Sequence, residues 1–164
     1  MVMSNKTQRC PLCGAKGAVH EARRTEYTYK EEKFYINQPA LWCDRCDDAV
    51  ITPADNKASL KDMATARAVI DKVLTPDEVR KARKKLGWTQ EQAGEYFGGG
   101  PSAFGKYERG EIQIPKTVSV LLYTLSTNKA LLDSIEKSLN SIIKEHDVFL
   151  DEHGEYFINT KKAG

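Results

Sequence analysis

The chain has 164 residues, 40% of them hydrophobic and 29% charged, with a formal net charge of +2. That length suits one or two small domains with modest cores and argues against a large single-core enzyme. So small a net charge creates no global positive field, so a nucleic-acid surface has to be local, and Arg80, Lys81, Arg83, Lys84 and Lys85 form such a concentration. No stretch approaches the roughly 20 apolar residues that a membrane span needs, and no basic start leads into an apolar run. The expectation is a cytoplasmic protein with no membrane partner.

The four cysteines fall into two Cys-x-x-Cys pairs, Cys10/Cys13 and Cys43/Cys46. Two disulfides would suit a secreted chain, but two-residue spacing within each pair suits one metal ion better, and no secretion signal is visible. A Cys-x-x-Cys turn aims both thiolates at a point about 2.3 Å from a Zn²⁺, and two such knuckles complete a tetrahedron. Gly14, directly after Cys13, eases the backbone around the ion. Four thiolates close the coordination shell and leave no position for an activated water. The expected zinc is therefore structural, and its binding supplies folding free energy that so short a domain hardly gathers from its core.

Between the knuckles, Glu21 to Tyr29 and Lys33 to Ile36 alternate aromatic and charged residues around Lys30-Glu31-Glu32, which is a hairpin pattern. A separate short strand, Ala40-Leu41-Trp42, is expected to deliver Cys43 to the metal. Tyr27, Tyr29, Phe34, Tyr35 and Trp42 either cover one face of this hairpin or in part form a surface for a partner. Residues 1–51 make the expected zinc-binding domain.

Thr52 with Pro53 reads as a helix start, and the helix runs to about Asp71. Its thin apolar stripe of Leu60, Met63 and Val69 suggests a helical connector over residues 52–74. Thr75-Pro76-Asp77-Glu78 is a capping box for a helix over 76–86 that Gly87 ends. Thr89, with Gln92 three residues on, starts a second helix over 90–97, followed by the permissive Gly98-Gly99-Gly100 turn. Pro101 opens a third helix over 101–109, stopped at Gly110. Pro115 opens a fourth with Val118, Leu121, Leu122 and Leu125 inward, and Leu131 to Ile143 is a fifth apolar-periodic stretch. These five helices form an all-α unit over residues 75–145. Residues 146–164 extend it with two strand-like runs, Asp147 to Leu150 and Tyr156 to Ile158, read as an added hairpin for dimerisation or partner contact. The fold class is α+β, a small zinc-bound β domain followed by a helix-turn-helix domain.

Arg83-Lys84-Lys85-Leu86, Thr89-Gln90-Glu91, Phe97-Gly98-Gly99-Gly100, Ala103-Phe104, Tyr107-Glu108 and Gly110 together resemble the helix-turn-helix of MqsA-type antitoxins, a branch of the Xre/Cro group. The two cysteine pairs lie where that family's N-terminal zinc domain carries them, and the resemblance covers about residues 8 to 135. It implies a DNA-binding repressor of its own operon that acts as a dimer on a palindromic operator. It also implies that the zinc domain holds a protein toxin, for which a ribonuclease is the expected class. The family's recognition helix carries a base-reading Asn and, four residues later, an Arg; here those positions are Ser102 and Lys106. Ser is a short, degenerate reader and Lys lacks the guanidinium fork, so the family's operator sequence does not transfer.

The expected DNA-facing residues are Ser102 and Lys106 as readers, with Gln90, Lys84, Lys85 and Arg109 around them. Arg83 has the alternative of an internal bridge to Glu108. Gly105 weakens its helix by roughly 1 kcal/mol relative to Ala, which suggests close approach of DNA or another helix. Phe104 and Tyr107 read as core. His20, His146 and His153 form no set with ligand spacing. Enzyme chemistry is disfavoured, because no nucleophile–base pair is visible and the triple glycine lacks the Lys and Ser/Thr of a phosphate-binding loop. The alternative to the antitoxin is a zinc-ribbon helix-turn-helix regulator with no toxin.

Overall fold

The computed structural model describes residues 7–145, 148–150 and 156–158. The architecture is α+β: a four-stranded antiparallel sheet in the order β1 (Gln8–Arg9), β2 (Lys16–Tyr29), β3 (Glu32–Cys43), β4 (Asp48–Val50), followed by helices.

Alternating residues drive the long β2–β3 hairpin, which stays in register from Val19 opposite Trp42 to Tyr29 opposite Glu32. Its two turn residues, Lys30 (φ 49°) and Glu31 (φ 69°), both take the left-handed conformation that matches strand twist. The expected separate strand at Ala40-Leu41-Trp42 is instead the end of β3, which runs unbroken through Pro39. A missing N–H costs least on an open strand edge. Pro39 has such an edge, because β4 pairs only with Leu41, Trp42 and Cys43. Phe34 to Ala40 show the period of two, with Ile36, Gln38 and Ala40 buried. Gln38 is satisfied there: its amide donates to the Pro39 carbonyl at 2.9 Å and its oxygen accepts from the Tyr27 hydroxyl at 3.0 Å.

Helix α1 (Pro53–Asp71) begins at Thr52, the predicted helix start, where the structure adds a full capping box to Asp55, and it packs on β3. The stripe it buries differs from expectation. Asp55, Ser59 and Ala68 are the buried positions, whereas Val69 is 65% exposed. Small residues let this helix approach its neighbours closely.

Five helices follow: α2 (Pro76–Leu86), α3 (Gln90–Tyr96), α4 (Ala103–Arg109), α5 (Lys116–Thr127) and α6 (Lys129–Glu145). Thr75 with Glu78 and Thr89 with Gln92 form the predicted capping boxes, and Gly87 and Gly110 close α2 and α4 in the left-handed conformation. Their core gathers Val79, Ala82, Leu86, Ala93, Phe104, Tyr107, Leu122 and Leu125. Leu121 is 40% exposed, against expectation, because Val118, Leu122 and Leu125 set the inward face and Leu121 lies one residue round the helix from it. Helix α4 starts at Ala103 rather than Pro101; Pro101 and Ser102 form the turn before it. In the extension, β5 (Val148–Leu150) pairs antiparallel with β6 (Tyr156–Ile158). His146, Asp147 and the Glu152-His153-Gly154 segment lie outside the described residues. Among the described residues, no helix is long and apolar enough to cross a membrane.

Inside the helical unit, Arg83 pairs with Glu108 in bidentate fashion, Nε to Oε1 at 2.5 Å and a terminal nitrogen to Oε2 at 3.1 Å, with both side chains buried. Arg83 also donates to the Trp88 carbonyl, and Gln90 donates to Glu108 at 2.8 Å. Burial pushes the Glu108 carboxyl up, but hydrogen bonds from Arg83 and Gln90, with the Arg83 and Arg80 charges, hold it below the ordinary glutamate range on balance. A carboxyl depressed in the folded state stabilises fully above its unfolded pKa of roughly 4.3, and that stability is lost as pH falls through the lower folded value. Glu108→Gln should therefore cost on the order of 3 kcal/mol at neutral pH, since it leaves Arg83 buried without its counter-charge. In urea titrations the gap between variant and parent should narrow once pH drops below about 4; a gap independent of pH would contradict this account of the pair.

Candidate metal centre and helix-turn-helix surface

Cys10 and Cys13 sit in the turn between β1 and β2, where the Cys10 N–H donates to the Ala15 carbonyl at 2.8 Å and the Gly14 N–H to the Cys10 carbonyl at 2.9 Å. Gly14 takes φ 72°, the left-handed conformation expected of it. Cys43 ends β3, and Cys46 lies in the turn to β4. The Cys10 and Cys46 sulfurs are 3.8 Å apart, those of Cys13 and Cys43 are 3.7 Å apart, and all four lie within 4.8 Å of one another. A regular tetrahedron with 2.3 Å arms has edges of about 3.8 Å, whereas a disulfide requires sulfurs about 2.05 Å apart. All four cysteines are free. The close pairs each take one sulfur from each knuckle, so the four sulfurs form one cluster with the dimensions of a single tetrahedral metal site.

Electrostatics at this site favour a cation. Backbone N–H groups of Cys46 and Arg45 aimed at the Cys43 sulfur pull its thiol down to about 7. Desolvation, followed by hydrogen bonding with the other three sulfurs, pushes Cys46 up to about 12. Four sulfurs this close become four thiolates only around a positive ion. The second knuckle is braced from outside: Arg23 bridges Glu21 at 2.7 Å and Asp44 at 2.8 Å while lying 5.2 Å from the Trp42 ring centroid. Trp42 in turn donates its indole N–H to the Glu21 carbonyl at 3.0 Å.

Of the five rings singled out in the sequence, Tyr27, Tyr29, Phe34 and Trp42 are half-buried, with Tyr27 stacked on Phe34 at 5.9 Å. Tyr35 is 50% exposed, under the Arg24 guanidinium at 4.3 Å. His20 is no metal ligand here. Its Nε2 meets the buried Asp55 at 2.8 Å and ties β2 to the start of α1.

On the helical unit, Ser102, Lys106, Lys84, Lys85 and Arg109 are all exposed. Ser102 and Lys106 lie one turn apart, on the side of α4 away from the buried Phe104 and Tyr107. Arg109 is engaged by Glu111 at 2.6 Å. Gln90 departs from the expected outward pose, since its amide nitrogen is turned inward to Glu108. Gly105 explains the room it finds: a Cβ at Gly105 would lie 3.2 Å from the Gln90 side-chain oxygen and 3.1 Å from an Arg109 guanidinium nitrogen. The triple-glycine turn folds back on α3, with Gly98 and Gly100 at φ 73° and 76°. A Cβ at Gly94 would lie 2.1 Å from the Gly100 carbonyl oxygen, so no side chain fits there. Sequence reasoning missed Gly94, whose only signal was a glycine inside a helix.

A four-cysteine sheet joined to a helix-turn-helix with this glycine turn places the chain in a defined class: it belongs to the MqsA antitoxin family, whose model, described as the antitoxin component of a bacterial toxin-antitoxin system, matches residues 8–136. Antitoxin MqsA of Escherichia coli strain K12 is 30% identical over 129 residues, which span 77% of this chain and 98% of that protein. The family match ends within α6, leaving the β5–β6 hairpin outside it.

Freshly purified protein should contain one metal ion per chain, measured by elemental analysis. Cys10→Ser or Cys46→Ser should make the sheet protease-sensitive while residues 75–145 resist digestion. Cysteines recovered as disulfides, with little metal, would rule the site out.

Proposed function

We propose that this chain is an antitoxin that binds its partner toxin through the N-terminal sheet and, as a homodimer, binds and represses its own palindromic operator through the helix-turn-helix. Zinc is the metal of the Cys₄ site and plays a structural part, because four thiolates close its shell. Residues 1–51 form the zinc-binding domain, 52–74 a connector, 75–145 the DNA reader and 146–164 an extension. Family membership supports the antitoxin role. The observation that carries the DNA reading is α4 itself. Its inner side is locked by Phe104, Tyr107 and Glu108, while Ser102 and Lys106 project from the opposite, exposed side.

Two copies of α4 then enter successive major grooves, their half-sites about one helical turn or a small multiple apart. Lys106, making no ion pair with described residues, reaches base edges; Lys84 and Lys85, exposed in the last turn of α2, contact phosphates. The chain's own promoter fragment serves as probe. Lys106→Ala should weaken operator binding by on the order of 1–3 kcal/mol with little effect on random duplex, and Lys84→Ala should weaken both and reduce the salt slope by about one. Equal losses on both duplexes for Lys106→Ala would remove it as a reader.

The toxin reading rests on the β2–β3 hairpin, whose strands carry short partners only at one end, leaving backbone edges suited to strand addition. A small basic protein encoded beside this gene, of ribonuclease type, should co-purify with the full chain and lose activity when bound. Substitution of Tyr35 or Arg24 on the exposed hairpin face should weaken that capture, and changes at Lys106 should not. A neighbouring protein that is harmless when expressed alone would favour the regulator with no toxin.

A further inference from the structure

Helix α1 is packed on two sides. One side lies on β3. The other presents Ala64 and Ala68 to Leu74, Pro76, Val79, Tyr107, Ile112 and Ile114, with a residual void of only about 10 Å³ between them. Gly110 closes this seam in a left-handed turn of φ 75°, where a Cβ would lie 2.8 Å from the Ala64 Cβ and 3.3 Å from the Lys61 Cα. Alanine and glycine permit close approach but carry little side-chain area of their own, so on the α1 side the seam sets a distance more than a unique orientation.

Polar bonds across the seam then decide the orientation, and they converge on the last residue of α1. The Asp71 carboxylate accepts from Lys30 Nζ at 2.6 Å and from the Tyr29 hydroxyl at 3.0 Å, both at the hairpin tip. It also accepts from Gln113 Nε2 at 2.7 Å, in the loop between α4 and α5. Only 16% of its side chain is exposed, and the Arg67 guanidinium lies 5.5 Å from the Tyr29 ring centroid. A second tie, Lys61 to Asp77 at 2.6 Å, is more exposed and correspondingly weaker.

We infer that Asp71 is a latch that holds the β2–β3 hairpin, α1 and the helix-turn-helix in one orientation, so that sheet and reader move as a single body. One carboxylate serves donors from two separately cored units, and it is the only group among the described residues that bonds to both hairpin tip and reader loop. A protein that captured Tyr29 or Lys30 would release the sheet from the reader. Occupancy of the sheet would thereby reach α4 without any contact to it.

Nitrogen-15 NMR relaxation on the full chain tests the latch with no partner present, and its outcome is independent of whether a toxin or an operator exists. In the parent, amides of β2–β3 and of α2–α5 should share one rotational correlation time. Asp71→Ala should lose that common value, the sheet amides reporting a shorter time while shifts remote from the junction stay in place. Tyr29→Phe combined with Gln113→Ala removes two donors and leaves the acid in place; it should produce the same split and decides the matter if Asp71→Ala does not fold. Two correlation times in the parent, or one common time retained in the variants that fold, would overturn the latch.

Discussion

Four sulfurs from two distant turns meet at one point, and the N-terminal half of the molecule is organised by that meeting. A two-stranded ribbon of this length, with only short partner strands at one end, is marginal in water. Pinning Cys10 and Cys13 beside Cys43 and Cys46 closes the ribbon at the end where β1 and β4 attach. At the opposite end, Tyr29 and Lys30 reach the Asp71 carboxylate. The hairpin is thus held at both extremities, by a cluster of soft ligands at one and by a hard anion at the other, while α1 covers the face between.

The helical half uses a different device. Its central ion pair is buried, and its close approaches are made by glycines. Arg83, Glu108 and Gln90 link α2, α3 and α4 through one carboxylate. Gly94 lets the triple-glycine turn press against α3, and Gly105 gives the Gln90 side chain its space. Each arrangement fixes where α4 lies relative to α3, the geometry on which any groove-reading helix depends.

Much of this was legible in the sequence wherever the signal is local. Cys-x-x-Cys spacing, the helix start at Thr52, two capping boxes and the stops at Gly87 and Gly110 are each written within a few residues, and the structure places each where the spacing predicts. What escaped depends on distant partners. Gln90 reads as outward from its place at a helix start, but its donor is claimed by Glu108, 18 residues away. Of the stripe of Leu60, Met63 and Val69, the first two are half-buried and only Val69 faces out; the fully buried positions escaped because Asp55, Ser59 and Ala68 carry little hydropathy signal. Leu121 is as apolar as Leu122, and only the packing of α5 on α2 distinguishes them. Asp71 gave no sign at all, since its donors lie 41 and 42 positions away along the chain.

The division of labour along α4 also bears on how such a protein can diverge. Ala103, Phe104, Gly105, Tyr107 and Glu108 are buried, whereas Ser102, Lys106 and Arg109 are not. Exchange at Ser102 and Lys106 removes no buried side chain, and at Arg109 it loses only an exposed ion pair with Glu111, so drift at these three positions carries little folding penalty. Exchange at the five inward ones is filtered first by stability. If α4 reads DNA as proposed, lineages can rewrite its target in single steps, each intermediate remaining folded, and a duplicated copy could acquire a separate regulatory address without first becoming a broken protein.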